Sequence, residues 1–297
     1  MDTSTVENQP TLNYAPIDVK PRRMNFPFTE VSSRYFYDNN LLKSAYMASL
    51  SATFPAGEGE FIDSVRLFRD QIVDPELKQQ VKGFIGQEGH HSYQHKQFNM
   101  ALKDLGFDAV RLEKVFEKDM QRVLKGKNDK TRLAFTVCFE HQTAILADEF
   151  LTNPKVLEGM DDTIADLMRW HAIEEIEHKG VAFDVYMSAV GDRELLRRAQ
   201  RIATIMFSAR VAKYMVLLMW WSRTMPKWRD IKGYFKYMFG KGGLMRNLRK
   251  PYKDFFRKDF HPWDHQNQGL VDMWKKKYYQ AKHDRGSEAY QQNKSAA

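Results

Sequence analysis

Two short motifs carry the chemistry in this chain. Glu88 and His91 form one Glu-x-x-His, and Glu175 and His178 form a second. At three-residue spacing a carboxylate and an imidazole share one face of a helix. Two such helices, joined by one Glu from each of two others, supply the donors of a carboxylate-bridged dimetal site inside a four-helix bundle. The chemistry this points to is metal-assisted.

Helical phase selects the remaining donors. Glu58 falls in an apolar stripe with Phe61, Val65, Phe68 and Ile72, whereas Glu60 groups with Ser64, Leu67 and Gln71, so Glu58 is the expected ligand and Glu60 a supporting or pocket residue. Glu140 lies in a stripe with Leu133, Val137, Ala144, Ala147 and Leu151. His171 stands one turn before Glu175 on the face that also holds Leu167, His178, Ala182 and Val185, which extends the second motif to HxxxExxH and offers a third ligand. His95 follows His91 by one turn and is expected beside the ligands or in a pocket. His90 and His141 fall one residue off these stripes and are expected to be packing or surface residues, while for Glu174 and Glu177, which flank the motif, solvation or orientation of a ligand histidine is expected. Four buried carboxylates would each cost several kcal/mol uncompensated. Two divalent cations would balance them.

The elements that must position these residues read as helices throughout. The expected segments run from Phe54-Pro55 to about Val73, from Pro75 (after an Asp74 cap) to about Leu105, from about Thr131 to Leu151, and from about Asp162 to Val190. A short helix is expected near Ala109 to Leu124, one over about Arg193 to Thr224, and a looser aromatic stretch up to Phe260. Helical rise tests the levels. Glu58 to the first turn is roughly 22 Å and Pro75 to Glu88 roughly 20 Å, while Glu140 to Leu151 is roughly 17 Å and Asp162 to Glu175 roughly 20 Å. Each hairpin therefore brings its two carboxylates level. The fold class is all-α: a ferritin-like four-helix bundle with additional C-terminal helices.

With 297 residues, 43% of them hydrophobic, one large core is expected. The division is a disordered arm over 1–23, a dimetal helical domain over 24–263 and a polar tail over 264–297. The single cysteine, Cys138, excludes an intrachain disulfide and suits a reducing, cytoplasmic setting. Ile202 to Trp221 is the nearest approach to a membrane span, but Arg210 and Lys213 near its centre would each cost roughly 3 kcal/mol there, so a buried amphipathic helix is expected. The net charge of +8 is concentrated between Arg223 and Lys258, where twelve Lys or Arg face only Asp230 and Asp254 among many aromatics. Such a mixture suits a solvated basic face or peripheral membrane contact. No recognition motif for nucleic acid accompanies it.

The segments FPAGEGEFIDSVR, FIGQEGHHSYQH, the neighbourhood of Phe139-Glu140-His141, WHAIEEIEHKGVAFDVY and the late FHPW resemble the bacterial family of predicted metal-dependent hydrolases, over about Arg22 to Trp263. The ligand pattern also resembles that of ferritin-like diiron oxygenases, and HxxxExxH is similar to the extra-histidine pattern of the p-aminobenzoate N-oxygenase group. That resemblance implies Glu58, Glu88, His91, Glu140, His171, Glu175 and His178 as ligands.

The leading expectation is an enzyme with two Fe ions, or alternatively Mn or Zn. It would activate O2 to oxidise a small, lipophilic organic substrate with the help of an electron donor. The alternative is a dinuclear hydrolase that activates water. Iron storage fits poorly, because the long extra helices do not suit a compact cage subunit. A homodimer is compatible with either enzyme.

Overall fold

Caps written in the sequence set most of the helix starts. The computed structural model describes residues 18–277, and these are all-α, without a strand among the described residues. In chain order the helices are α1 (Leu41–Ser51), α2 (Phe54–Arg66), α3 (Pro75–Asp104), α4 (Ala109–Leu124), α5 (Asp129–Thr152), α6 (Asp162–His178), α7 (Val181–Ala189), α8 (Arg193–Trp221), α9 (Trp228–Phe239) and α10 (Leu244–Asp254). The side chains of Asn40, Asp74, Asp108, Asn128, Asp161 and Asp192 each accept a first-turn backbone N–H, which satisfies donors that the helix itself cannot. After α3 the chain turns at Gly106, whose φ of 92° suits a residue without Cβ.

Three elements depart from expectation. Helix α1 is absent from the periodicity because it is buried almost all round, with Ser44, Ala45, Ala48, Ser49 and Ser51 all inside, so it shows no polar face to mark it. Helix α2 ends at Arg66 instead of Val73. Phe68 N–H donates to Val65 O and Gln71 N–H to Phe68 O, tight turns that bury Phe68 and Ile72. These turns advance about 2 Å per residue against 1.5 Å in an α-helix, so the hairpin still returns Glu88 to the level of Glu58. The expected helix over Asp162 to Val190 is divided at Lys179-Gly180 into α6 and α7. There a Cβ on Gly180 would meet Trp263 Nε1 at 2.7 Å, so the FHPW segment seats directly on the junction.

Side-chain pairs give the directions of the helices around the site. Ser64 bonds Thr136 and Phe61 stacks on Phe139, so α2 and α5 run antiparallel. Gln87 bonds Glu177 and His95 bonds His171, so α3 and α6 run antiparallel. Apolar clusters lie at both ends of this group. One includes Phe61, Phe84, Val137 and Val181, and the other Phe98, Ala147, Leu167 and Trp170. Between them runs a polar layer in which Glu58, Gln87, Glu88, His91, His95, Glu140, His171, Glu174, Glu175, Glu177 and His178 are all buried.

The first and last described segments pack against the helices. Of the arm expected over 1–23, residues 1–17 lie outside the described residues. Val19 is buried, and a Cβ on Gly83 of α3 would overlap the Val19 carbonyl. Of the tail expected from 264, residues 278–297 lie outside the described residues. Residues 268–277 are helical, with Trp274 Nε1 donating to Leu151 O and Lys275 pairing with Glu177 at 2.7 Å. Helix α8 buries Val211, Tyr214, Met215 and Leu218, but its opposite side is exposed at Ile202, Ile205, Val216 and Trp220, so the expectation of a buried helix holds for one face only.

Candidate metal centre

Four helices deliver seven buried donors to the polar layer: Glu58 from α2, Glu88 and His91 from α3, Glu140 from α5, and His171, Glu175 and His178 from α6. Donor atoms of Glu58, Glu88 and His91 lie within 4.8 Å of one another, as do those of Glu88, Glu175 and His178 and those of His91, His171 and Glu175. Glu140 joins through Oε2, 3.4 Å from His178 Nε2. Glu60, the other acid of α2, points away and forms a two-pronged ion pair with Arg132 at 2.7 and 2.8 Å.

Each histidine of the cluster is held by one ring nitrogen and presents the other inward. His178 Nδ1 donates to Gln87 Oε1 at 2.9 Å, leaving Nε2 at 3.0 Å from Glu88 and 3.6 Å from Glu175. His91 Nε2 faces Glu174 Oε2 at 3.1 Å, leaving Nδ1 at 3.6 Å from Glu175. For His171 a chain of bonds assigns the tautomer. Ser51 Oγ donates to Asn99 Oδ1, so it accepts from His95 Nδ1, and His95 Nε2 accepts in turn from His171 Nδ1 at 2.8 Å. His171 Nε2 is left facing Glu175 Oε1 at 2.9 Å. Outer partners that fix one nitrogen and raise the basicity of the other are the usual support of metal-binding histidines. His95 therefore sits behind His171.

Several of these supports were not legible as site residues. Gln87 braces His178 and also donates to Glu177 at 2.7 Å. Arg22 pairs with Glu174 at 3.2 Å and Glu177 at 2.7 Å. Both acids are buried, so the solvated role is excluded, and Glu174 orients His91. Ser51 and Asn99 carry no motif, and Gln87 precedes Glu88 without belonging to Glu-x-x-His. His141 is buried against Phe255 and Phe260, away from the cluster, and burial holds it neutral with a pKa of about 3.

Electrostatics show what this layer is missing. Burial pushes Glu58 and Glu140 well above the usual carboxylate range, with repulsion from Glu88 and Glu175 adding to it, and burial also raises Glu88, with His178 working against that rise. Burial opposes ionisation of Glu175 too, yet His178 and His171 hold it well below that range. Burial likewise opposes a charge on His178, but the neighbouring carboxylates, Glu175 first, keep it protonated well above the ordinary histidine range. Among the described residues, both oxygens of Glu58 and Glu140 and Nδ1 of His91 are buried without a hydrogen-bond partner. Orphaned acceptors in such number are costly unless something cationic meets them. The donor set of carboxylate and imidazole, each imidazole braced from outside, fits divalent metal ions.

A cavity reaches the cluster from the side. It has a volume of about 110 Å³ and opens to solvent, its walls are almost wholly apolar, and it is lined by Phe61, Phe116, Met120, Phe139, Met206 and Phe207. Glu58 lines its inner end, and Arg210 and Glu60 also border it.

A family model described as predicted metal-dependent hydrolase matches residues 20–266. Among curated proteins and among solved structures, no match is found.

Proposed function

Because the chain belongs to the predicted metal-dependent hydrolase family, we propose that it hydrolyses a lipophilic ester, amide or phosphoester at a dinuclear metal centre held by Glu58, Glu88, His91, Glu140, His171, Glu175 and His178. The observation that carries this reading is the set of orphaned carboxylate oxygens faced by three braced imidazoles. Four carboxylates need about two divalent cations for neutrality, and Glu/His donors suit zinc, manganese or iron. The antiparallel pairing of α2 with α5 and of α3 with α6 around one polar layer supports a ferritin-like bundle as the scaffold. Of the two sequence expectations, the family match favours hydrolysis.

Metal ions at this centre supply Lewis acidity and a more acidic water. The protein supplies the rest. The apolar cavity takes the body of the substrate and excludes bulk water from the scissile bond. Glu58 is the cluster residue that borders the cavity, so the reacting group meets the cluster there. A carboxylate oxygen of Glu58 not engaged by the metal ions would be placed to take a proton as water adds to the acyl carbon or phosphorus. That proton then passes to the leaving oxygen or nitrogen as its bond breaks. Glu174, Gln87 and His95 hold the three imidazoles in place throughout.

The test is metal content followed by anaerobic assay of the zinc and manganese forms on a panel of lipophilic esters, amides and phosphoesters. Turnover without O2 is expected, and its loss in Glu58→Gln. A second reading follows from His171, which brings the donor set to four carboxylates and three imidazoles, a carboxylate-rich pattern similar to that of diiron oxygenases. It requires O2 and an external two-electron donor. An iron form whose electronic spectrum changes on meeting O2, in a protein inert across the hydrolytic panel, would favour it.

A further inference from the structure

The basic, aromatic region over 223–258 is not used by the metal centre. Its core element is α9, and this helix is apolar on two opposite faces. Inward, Tyr234 and Tyr237 pack on Tyr46 and Tyr37, with Met238 and Asp230 buried beside them. Outward, Trp228, Lys232, Phe235 and Phe239 follow at spacings of four, three and four residues, which places them in one stripe on the side away from the core. Trp228 is 77% exposed, Phe235 57% and Phe239 54%.

Close by in sequence, Trp220 at the end of α8 is 71% exposed and Met225 in the turn to α9 is 84% exposed. Scattered exposed apolar residues need no explanation, but a run of three aromatics along one helix face, preceded in the chain by a further Trp and Met, does. Basic residues frame it: Arg223, Lys227, Arg229, Lys232 and Lys236 are all exposed. The face is held rigidly, since Asn40 Nδ2 donates to Asp230 O and Asp230 Oδ2 caps the Lys227 N–H.

We propose that the α8–α9 turn and the outer face of α9 dock on an anionic lipid bilayer, with Trp228, Phe235 and Phe239 entering the interface and the surrounding Lys and Arg meeting lipid phosphates and carboxylates. A helix with aromatics on its outer face and flanking basic residues lies in the plane of such an interface. Charge selects this occupant over a second copy of the chain. Self-association through this surface would oppose two regions that each carry twelve Lys or Arg against two Asp. Helix α8 is long and apolar enough to cross a membrane by length and composition. Its inner residues Val211, Tyr214, Met215 and Leu218 are committed to the core, so it lies along the surface. The proposal does not rest on the reaction at the metal centre.

The full chain would be sedimented with vesicles of phosphatidylcholine alone and with vesicles enriched in phosphatidylserine, at low and high salt. Binding to the anionic vesicles that is weakened by salt is expected. Trp228→Ala/Phe235→Ala/Phe239→Ala and, separately, Lys232→Glu/Lys236→Glu should each reduce it at least about tenfold. All five residues are exposed, so the variants should keep the wild-type circular dichroism and metal content. Failure to sediment with anionic vesicles at low salt overturns the proposal, as does binding that neither variant weakens. A dimer in sedimentation velocity that the aromatic variant dissociates would assign the face to a second copy.

Discussion

Nε2 of His91 lies 3.1 Å from Glu174 Oε2, while Nδ1 of the same ring turns toward Glu175 at 3.6 Å and Glu88 at 3.9 Å. One acid outside the cluster thus decides which nitrogen of an inner residue is free. Burial raises Glu174 to about 8, with Arg22 working against that rise. Glu174→Ala removes the brace, and metal affinity should fall about 10- to 100-fold. Glu174→Gln, whose amide oxygen can still accept from Nε2–H, should fall less. Titration against a competing chelator measures both.

The Asn99, Ser51, His95 chain makes a parallel prediction for His171. In Ser51→Ala, His95 loses the acceptor for Nδ1–H, and the tautomer that leaves His171 Nε2 free is no longer enforced. Metal binding should weaken by about tenfold. The histidine Nδ1–H resonances in proton NMR of the zinc form should change as well. A loss of stability with unchanged affinity and unchanged resonances would mean that Ser51 serves packing alone.

How far the site was legible follows from the physics of each residue. Donors on a helix repeat with its period, so Glu58, Glu88, His91, Glu140, His171, Glu175 and His178 stand out in one dimension. Their supports do not repeat. Arg22 reaches Glu174 and Glu177 across more than 150 positions of sequence, from a segment that reads as a polar arm. Helix α1 offers Ser51 from an element whose uniform burial erases any amphipathic signal. Glu60 shows the converse: phase alone separated it from Glu58, and its partner Arg132 then accounts for its charge. Exposed aromatics on α9 were visible as composition, but which face they occupy depends on where α1 packs.

The apolar cavity predicts a size limit on whatever reaches Glu58. Val123 of α4 lines the cavity, and α4 carries none of the seven donors. Val123→Trp should fill much of the space and weaken binding of an apolar fluorescent probe such as anilinonaphthalene sulfonate by at least about tenfold, a magnitude typical of steric exclusion from apolar pockets. Metal content should remain at the wild-type level. Equal probe binding in the variant would mean that apolar molecules bind this protein elsewhere.

The dependence of stability on pH should differ with and without metal. Without a cation, burial raises Glu58, Glu88 and Glu140, and their carboxylates raise His178. A group with a raised folded pKa contributes stability that is complete below its unfolded pKa and is lost as pH climbs through the folded one. Between pH 7 and 9, then, these four groups should make the metal-free protein less stable as pH rises, because the unfolded chain holds fewer protons there. His91 and His95 are lowered by burial and are neutral in both states above about pH 7, so they add no slope. Lys179, lowered by burial to about 7, adds the opposite slope, but it does so whether or not metal is bound. The readout is therefore the difference between forms. Bound cations hold the carboxylates ionised and His178 neutral, so the gap in Tm between metal-loaded and metal-free protein should widen from pH 7 to 9. A gap that stays constant or narrows across that range would contradict the assignment of these four side chains as ligands.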